Sequence, residues 1–279
     1  MKKTVCILLM AFAVCAVIFA QTAEDFLKSG KAHLGKQDYD KAIADYTEAI
    51  KLDPRSAEAY TNRGVASYNK KDYDKAIADF TEAIRLAPRV PEPYNNRGGV
   101  YFDKKDYDKA IADFTKAIEL NSRYADAYKN RGNAYYYKED YDKAIADFNE
   151  AIKLDRRYAE AYRNRALAYA HKKNYNNVIA DYTEAFRLDS RFADAYSYYN
   201  RGIAYYNKED YDKAIADFNE AIKLNPRYID AYMNRAAAYI YKGDYDKAIA
   251  DFETVLKIDP NNIAAKRGIE LAKVLRDNG

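Results

Sequence analysis

Apolar residues along this chain recur every three or four positions, in blocks whose phase resets at a regular interval. Within residues 57–90, Tyr60, Gly64, Ala66 and Ser67 fall on one face of a first helix. Ala76, Ile77, Phe80, Ala83 and Ile84 mark the i, i+3, i+4, i+7 stripe of a second. Asp72 stands where it can cap the second helix, and Pro88 prevents that helix from continuing. Gly64 is expected to face Ala76 and Phe80, because a missing side chain lets two helix axes approach to about 8 Å.

The block recurs. Asp-Tyr-Asp-Lys-Ala-Ile-Ala-Asp, or a near copy, places its tyrosine at Tyr39, Tyr73, Tyr107, Tyr141, Tyr175, Tyr211 and Tyr245, at spacings of 34, 34, 34, 34, 36 and 34 residues. One helix pair of this size cannot bury its own apolar surface, so neighbouring pairs must stack and share a continuous core. Seven pairs are predicted, at 23–56, 57–90, 91–124, 125–158, 159–192, 193–228 and 229–262. Residues 263–279 break the pattern. Lys266, Arg267, Glu270 and Lys273 stand between Ile263 and Val274, as expected of a capping helix and tail that hide the last apolar face.

These units resemble the tetratricopeptide repeat family. The family's small residue of the first helix matches Gly30, Gly64, Gly98, Gly132, Ala166, Gly202 and Ala236. Its second-helix alanine matches Ala42, Ala76, Ala110, Ala144, Ala214 and Ala248, with Val178 in the fifth unit. Its closing proline matches Pro54, Pro88, Pro226 and Pro260, and is replaced by Ser122, Arg156 and Ser190. The resemblance implies an all-α fold, a right-handed alpha-alpha superhelix of seven helix-turn-helix repeats, whose first helices line a concave groove.

Two features depart from the family pattern. Arg63, Arg97, Arg131, Arg165, Arg201 and Arg235 stand where the family usually has leucine, and by phase they point inward. So does the aspartate of the second helix, at Asp45, Asp79, Asp113, Asp147, Asp181, Asp217 and Asp251. An unpaired buried charge costs several kcal/mol, so one Arg–Asp pair is expected per junction, within a unit or with the preceding one. The alternative is an arginine that snorkels to solvent. The second departure is the two-residue excess around Ala195–Tyr198. Inside a helix it would rotate everything downstream by about 200°, so it is expected in the loop or as an extra half-turn at the helix start.

One groove-facing position is asparagine in six units, Asn62, Asn96, Asn130, Asn164, Asn200 and Asn234, with Lys28 in the first. Asparagine costs about 0.5 kcal/mol against alanine in a helix, but its amide can pair both backbone groups of a bound peptide. With helices about 10 Å apart, such a ladder meets an extended chain at roughly every third residue. It resembles the asparagine ladder of the repeat domain in O-GlcNAc transferases. Duplication alone would also copy six asparagines. The preceding positions, Thr61, Asn95, Lys129, Arg163, Tyr199 and Met233, have diverged. Tyr68, Phe102, Tyr136, Tyr137, Tyr206 and Tyr241 are expected to add aromatic surface to the groove, some of them as packing between repeats. Lys129, Asn133 and Asn164 match three positions of the carboxylate clamp of co-chaperone repeat domains. The clamp's two further cations are missing, with Asp194 (or Tyr196) and Asn200 in their places, which argues against capture of a C-terminal carboxylate.

Thirty tyrosines and no tryptophan fit one motif copied many times. At the N-terminus, Lys2 and Lys3 precede an apolar run from Val5 to Phe19, and Ala20 offers a small residue for cleavage. Residues 1–20 therefore read as a signal peptide, shorter than the roughly 20 apolar residues that span a bilayer comfortably. Left uncleaved, the segment would tether the chain to a membrane. Its removal takes away both cysteines, Cys6 and Cys15, and lowers the formal net charge from +3 to +1. No thiolate metal site or disulfide is then possible. The interleaved charges lack the footprint of a nucleic-acid binder. His33 and His171, the two histidines, stand four repeats apart as expected surface residues. Phosphate loops and zinc spacings are missing.

The expectation is an exported, periplasmic or secreted protein that is not an enzyme and uses no cofactor. It would hold an extended peptide or helix of a partner protein in its groove. The alternative is a self-assembling or tethering component of the cell envelope that acts through its outer surface.

Overall fold

Every second helix begins where an aspartate or asparagine closes a tight turn. In the computed structural model, which describes residues 22–278, the side chains of Asp38, Asp106, Asp140, Asn174 and Asp210 each accept the backbone N–H three residues on. Asp38, Asp106 and Asp210 lie below the usual carboxylate range, chiefly through their side-chain bonds to Lys41, Lys109 and Lys213. The predicted signal segment, residues 1–20, lies outside the described residues.

After residues 22–35 (α1) the helices run α2 Tyr39–Leu52, α3 Ala57–Asn69, α4 Tyr73–Leu86, α5 Pro91–Asp103, α6 Tyr107–Leu120 and α7 Ala125–Tyr137. They continue as α8 Tyr141–Leu154, α9 Ala159–His171, α10 Tyr175–Leu188, α11 Ala195–Asn207, α12 Tyr211–Leu224, α13 Ile229–Tyr241, α14 Tyr245–Ile258 and α15 Ile263–Asn278. The fold is all-α, built of helix-turn-helix pairs, with no strand among the described residues.

The chain divides into two units, which meet in sequence at Lys138 and Glu139. In the first, each helix from α2 to α7 packs on the next, and α3, α5 and α7 also touch one another in series. In the second, α8 to α15 pack in the same way, and α9, α11 and α13 form the series. Each series gives its unit an inner face made of first helices.

Helix pairs close on glycine. A Cβ on Gly64 would lie 2.7 Å from Phe80 Cε1, and Gly98 and Gly202 meet Phe114 and Phe218 at the same distance. Gly30 meets Tyr46 in the same way. These buried rings are the largest core side chains, so the glycines set how closely the pairs pack. The terminal helix α15 repeats the device, with Gly268 against Phe252, and buries Ala265 and Ala272.

The two-residue excess is taken up before α11. A 3-10 turn at Ser190–Phe192 precedes it, and Asp194 accepts the Ser197 N–H at 2.7 Å. The helix keeps the 13-residue length of α9 and α13, so Arg201 and Gly202 stay in phase.

Candidate functional site

Two sets of polar residues run through the repeats, and the structure separates a structural set from a surface set. The inward arginines belong to the first. Arg63, Arg97, Arg165, Arg201 and Arg235 each donate from Nε and Nη2 to the two oxygens of Asp79, Asp113, Asp181, Asp217 and Asp251, at 2.6–2.9 Å. Each pair lies within one repeat. The remaining Nη1 reaches back to the preceding second helix, to Thr47, Thr81, Asn149, Thr183 and Asn219. Arg131 makes the same backward bond to Thr115 at 3.0 Å.

Of the two placements expected for the Arg–Asp pair, the structure has the one within a unit; the third donor ties the unit to its neighbour through a threonine or asparagine instead. The aspartates are buried and the arginines nearly so, 17% exposed for Arg165. The arginines do not snorkel. Bonds to Asp79 and Asp113 hold the Arg63 and Arg97 guanidiniums above their ordinary value. Burial pushes the Asp181 and Asp217 carboxyls up against the pull of their arginines. In the first repeat, where Ser29 replaces arginine, His33 Nδ1 pairs with Asp45 at 2.8 Å. His33 is therefore half-buried and structural, not the surface residue expected. His171 is exposed, and its ring stacks on Tyr141 at 4.4 Å.

The surface set lines the inner face. In the first unit, α3, α5 and α7 frame an open cavity of about 420 Å³. Its floor is Phe80 and Phe114, reached between the first helices, with Val65, Tyr68 and Phe102 as apolar walls. Its rim is Asn69, Asn95, Asn96, Asn130, Asn133, Lys129 and Asp103, and Gly99 opens into it. Tyr68 donates its hydroxyl to Asp103 Oδ2 at 2.7 Å, joining α3 to α5 at one end. Asn130 Nδ2 donates to Asn95 Oδ1 at 3.0 Å, joining α5 to α7. That bond uses one N–H of Asn130 and leaves the Asn130 side-chain carbonyl and the Asn95 amide nitrogen to accept from and donate to a guest.

The structure brings together Tyr68, Asn96, Phe102, Lys129, Asn130 and Asn133 of the predicted set. The other predicted positions behave differently. Asn62 Nδ2 is buried without a hydrogen-bond partner. In the second unit, Asn164 is half-buried, Asn200 donates to its own helix at Tyr196 O, and Asn234 donates to Asp230 O and to the Tyr199 hydroxyl. Tyr137 stacks on Tyr107 at 5.7 Å with Phe102 and Tyr136 against its edges, and Tyr241 stacks on Tyr211 at 5.1 Å beside Tyr206. These tyrosines bridge successive repeats, yet Tyr137 and Tyr241 stay 59% and 66% exposed.

Of the other lining residues, Val65, Asn69, Gly99, Asp103 and Phe114 are not singled out by the sequence, Phe80 reads only as core, and Asn95 only as a diverged position before the repeated asparagine. Val65 and Gly99 follow the packing glycine directly, and the divergence there is the available signal. Among the described residues, no cluster of His, Cys, Asp and Glu is arranged to hold a metal, and no helix is long and apolar enough to cross a membrane.

Three family models, each described as tetratricopeptide repeat, match residues 27–91 and 129–191, residues 89–157, and residues 195–228 and 229–262. Comparison with curated proteins returned no match. Among solved structures, YrrB, described as a tetratricopeptide-repeat protein with an unusual peptide-binding site, is 24% identical with a TM-score of 0.64, covering 68% of this chain and 97% of its own. MamA is 26% identical with a TM-score of 0.54, over 61% of this chain and 93% of its own. The C-terminal part of a repeat protein from Cytophaga hutchinsonii reaches a TM-score of 0.69 at 19% identity, over 87% of this chain and 99% of its own.

Proposed function

The chain belongs to the tetratricopeptide repeat family, and we propose that it is a protein-interaction scaffold holding an extended segment of a partner on the inner face of its first unit. Proteins of this family act as interaction scaffolds. The observation that carries the finer reading is the cavity between α3, α5 and α7. An apolar aromatic floor under a rim of amides suits a polypeptide, which offers side chains to the floor and N–H and C=O groups to the rim. The likeness to YrrB supports the fold alone. Nothing in the arrangement calls for catalysis, and the role proposed is binding.

Export is part of the same proposal. The basic residues Lys2 and Lys3, the apolar run that follows and Ala20 support a signal peptide and a place in the periplasm or outside the cell.

Affinity capture with the full-length chain tests the reading, comparing wild type with Asn96→Ala and Asn130→Ala. A partner lost from both variants, with helicity and melting temperature unchanged, supports it; a partner retained by both refutes it. One observation favours a second reading, self-assembly through the outer surface. Ile263, Leu271 and Val274 of α15 are all more than half exposed. Light scattering that shows concentration-dependent growth, abolished by Leu271→Lys, would move the function there.

A further inference from the structure

Two adjacent glycines of α5 differ in what they explain. Gly98 is required by packing, because a Cβ there would collide with the Phe114 ring at 2.7 Å. Gly99 is not. A Cβ at 99 would meet nothing within 4 Å, and its backbone is helical with no positive φ. A glycine inside a helix is destabilising relative to alanine, and here neither close approach nor backbone geometry accounts for it. The equivalent position carries Lys31, Val65, Asn133, Leu167, Ile203 and Ala237 in the other six repeats. Only in the third repeat is the side chain deleted, and Gly99 lines the cavity.

We propose that Gly99 is a deleted side chain that makes a specificity pocket, which takes one bulky apolar side chain, aromatic by preference, from the extended polypeptide of the proposed function. The pocket rests on that reading and sharpens it. Phe102, half-buried beside Gly99, offers its ring to an incoming side chain, above the buried floor of Phe80 and Phe114. Around it the rim carries one cation, Lys129, one carboxylate, Asp103, and five asparagine amides. The electrostatic complement of that balance is a neutral chain rich in amide groups; a phosphate or a polyanion would need several cations converging on one point. The occupant is therefore a peptide with an apolar anchor, its backbone beside Asn95 and Asn130.

The test selects phage-displayed random dodecapeptides on the full-length chain and measures enriched peptides by fluorescence anisotropy against wild type, Gly99→Leu and Ala237→Leu. The expected result is a shared bulky apolar residue in the enriched peptides. Gly99→Leu should weaken them at least tenfold while raising the melting temperature, and Ala237→Leu should leave binding unchanged. Replacing the shared residue by alanine should cost wild type a similar factor and Gly99→Leu almost nothing, since both changes empty the same contact. Peptides that bind with no preferred anchor, or that bind Gly99→Leu as well as wild type, overturn the pocket and leave the groove reading standing. No enrichment over an unrelated helical protein overturns both.

Discussion

The two units are built with the same stitches and differ in what they leave open. Each ties its repeats with bidentate Arg–Asp pairs and a third guanidinium bond to the preceding helix, seen in Arg97 of the first unit and Arg201 of the second. On the inner face they part. Where the first unit has Gly99, the second has Leu167, Ile203 and Ala237, and where the first has Asn95, the second has Arg163, Tyr199 and Met233. Tyr199 packs on Tyr228 at 4.9 Å and receives the Asn234 amide, and Arg163 lies against Ser197 and Asp194. The second unit spends its inner-face side chains on itself, whereas the first keeps a cavity. The scaffold and the proposed recognition therefore rest on different residues: charge pairs tie the repeats, and side-chain size sets the space.

The stitch is the part that should not distinguish the units. Asp113→Ala and Asp217→Ala each leave a largely buried guanidinium without its carboxylate, and both should lose about 3 kcal/mol in chemical denaturation. An exposed ion pair between successive repeats gives the contrast. Lys104 pairs with Asp74, whose side chain is 88% exposed, and Asp74→Ala should cost less than about 1 kcal/mol. Comparable losses from Asp74→Ala and Asp113→Ala would mean that the inward pairs carry no special weight.

Next in size is the pair of neighbouring glycines. Gly98→Ala overpacks Phe114 and should destabilise by about 1–3 kcal/mol. Gly99→Ala enters open space and should stabilise by about 0.5–1 kcal/mol. Opposite signs one residue apart would sharpen the contrast between packing and vacancy, and equal signs would erase it.

Tyr46 allows a smaller test. It stands where Phe80 and Phe114 stand in the next two repeats, fully buried, and its hydroxyl has no hydrogen-bond partner. Tyr46→Phe should therefore stabilise the chain by about 1 kcal/mol. A loss of stability would reveal a partner for that hydroxyl.

The smallest effect is alkaline. Burial, its largest cause in each case, pushes Tyr46, Tyr124 and Tyr206 up to about 12, against about 10 for a solvated tyrosine. A group raised on folding contributes stability that is complete below the unfolded value and is lost as pH rises through the folded one. Stability should fall between about pH 10 and 12, and Tyr46→Phe should soften that fall. A chain equally stable at both ends of the window would contradict the assignment.

Much of this organisation was legible in the residues. The 34-residue period located the helix pairs, and a charge that recurs on an apolar face needs a recurring partner, which pointed to Arg63–Asp79 and its counterparts. The third bond of each arginine was not legible, because Thr81 and Asn149 are exposed positions of the preceding helix and carry no periodic apolar mark. Nor was the inequality of the asparagines. Repetition made Asn62, Asn130 and Asn234 look alike, but their amides answer to non-repeating neighbours: Asn95 receives Asn130, and the Tyr199 hydroxyl receives Asn234. The tyrosines carried a similar ambiguity. Tyr137 and Tyr241 sit at the ends of first helices, where a phase argument cannot separate a groove wall from a ring stacked on the preceding repeat. The cavity depends on a side chain that is missing, and periodicity is read from those that are present.

The most direct test of the central claim is photo-crosslinking from the inner faces of the two units. Benzoylphenylalanine would replace Asn133 in the first unit and Ile203 in the second, in the full-length chain expressed in its own cells. A partner polypeptide crosslinked through position 133 and not through 203, and competed away by a selected apolar-anchored peptide, is the predicted result. Crosslinking through 203 alone, or equally through both and indifferent to the peptide, would contradict recognition by the first unit.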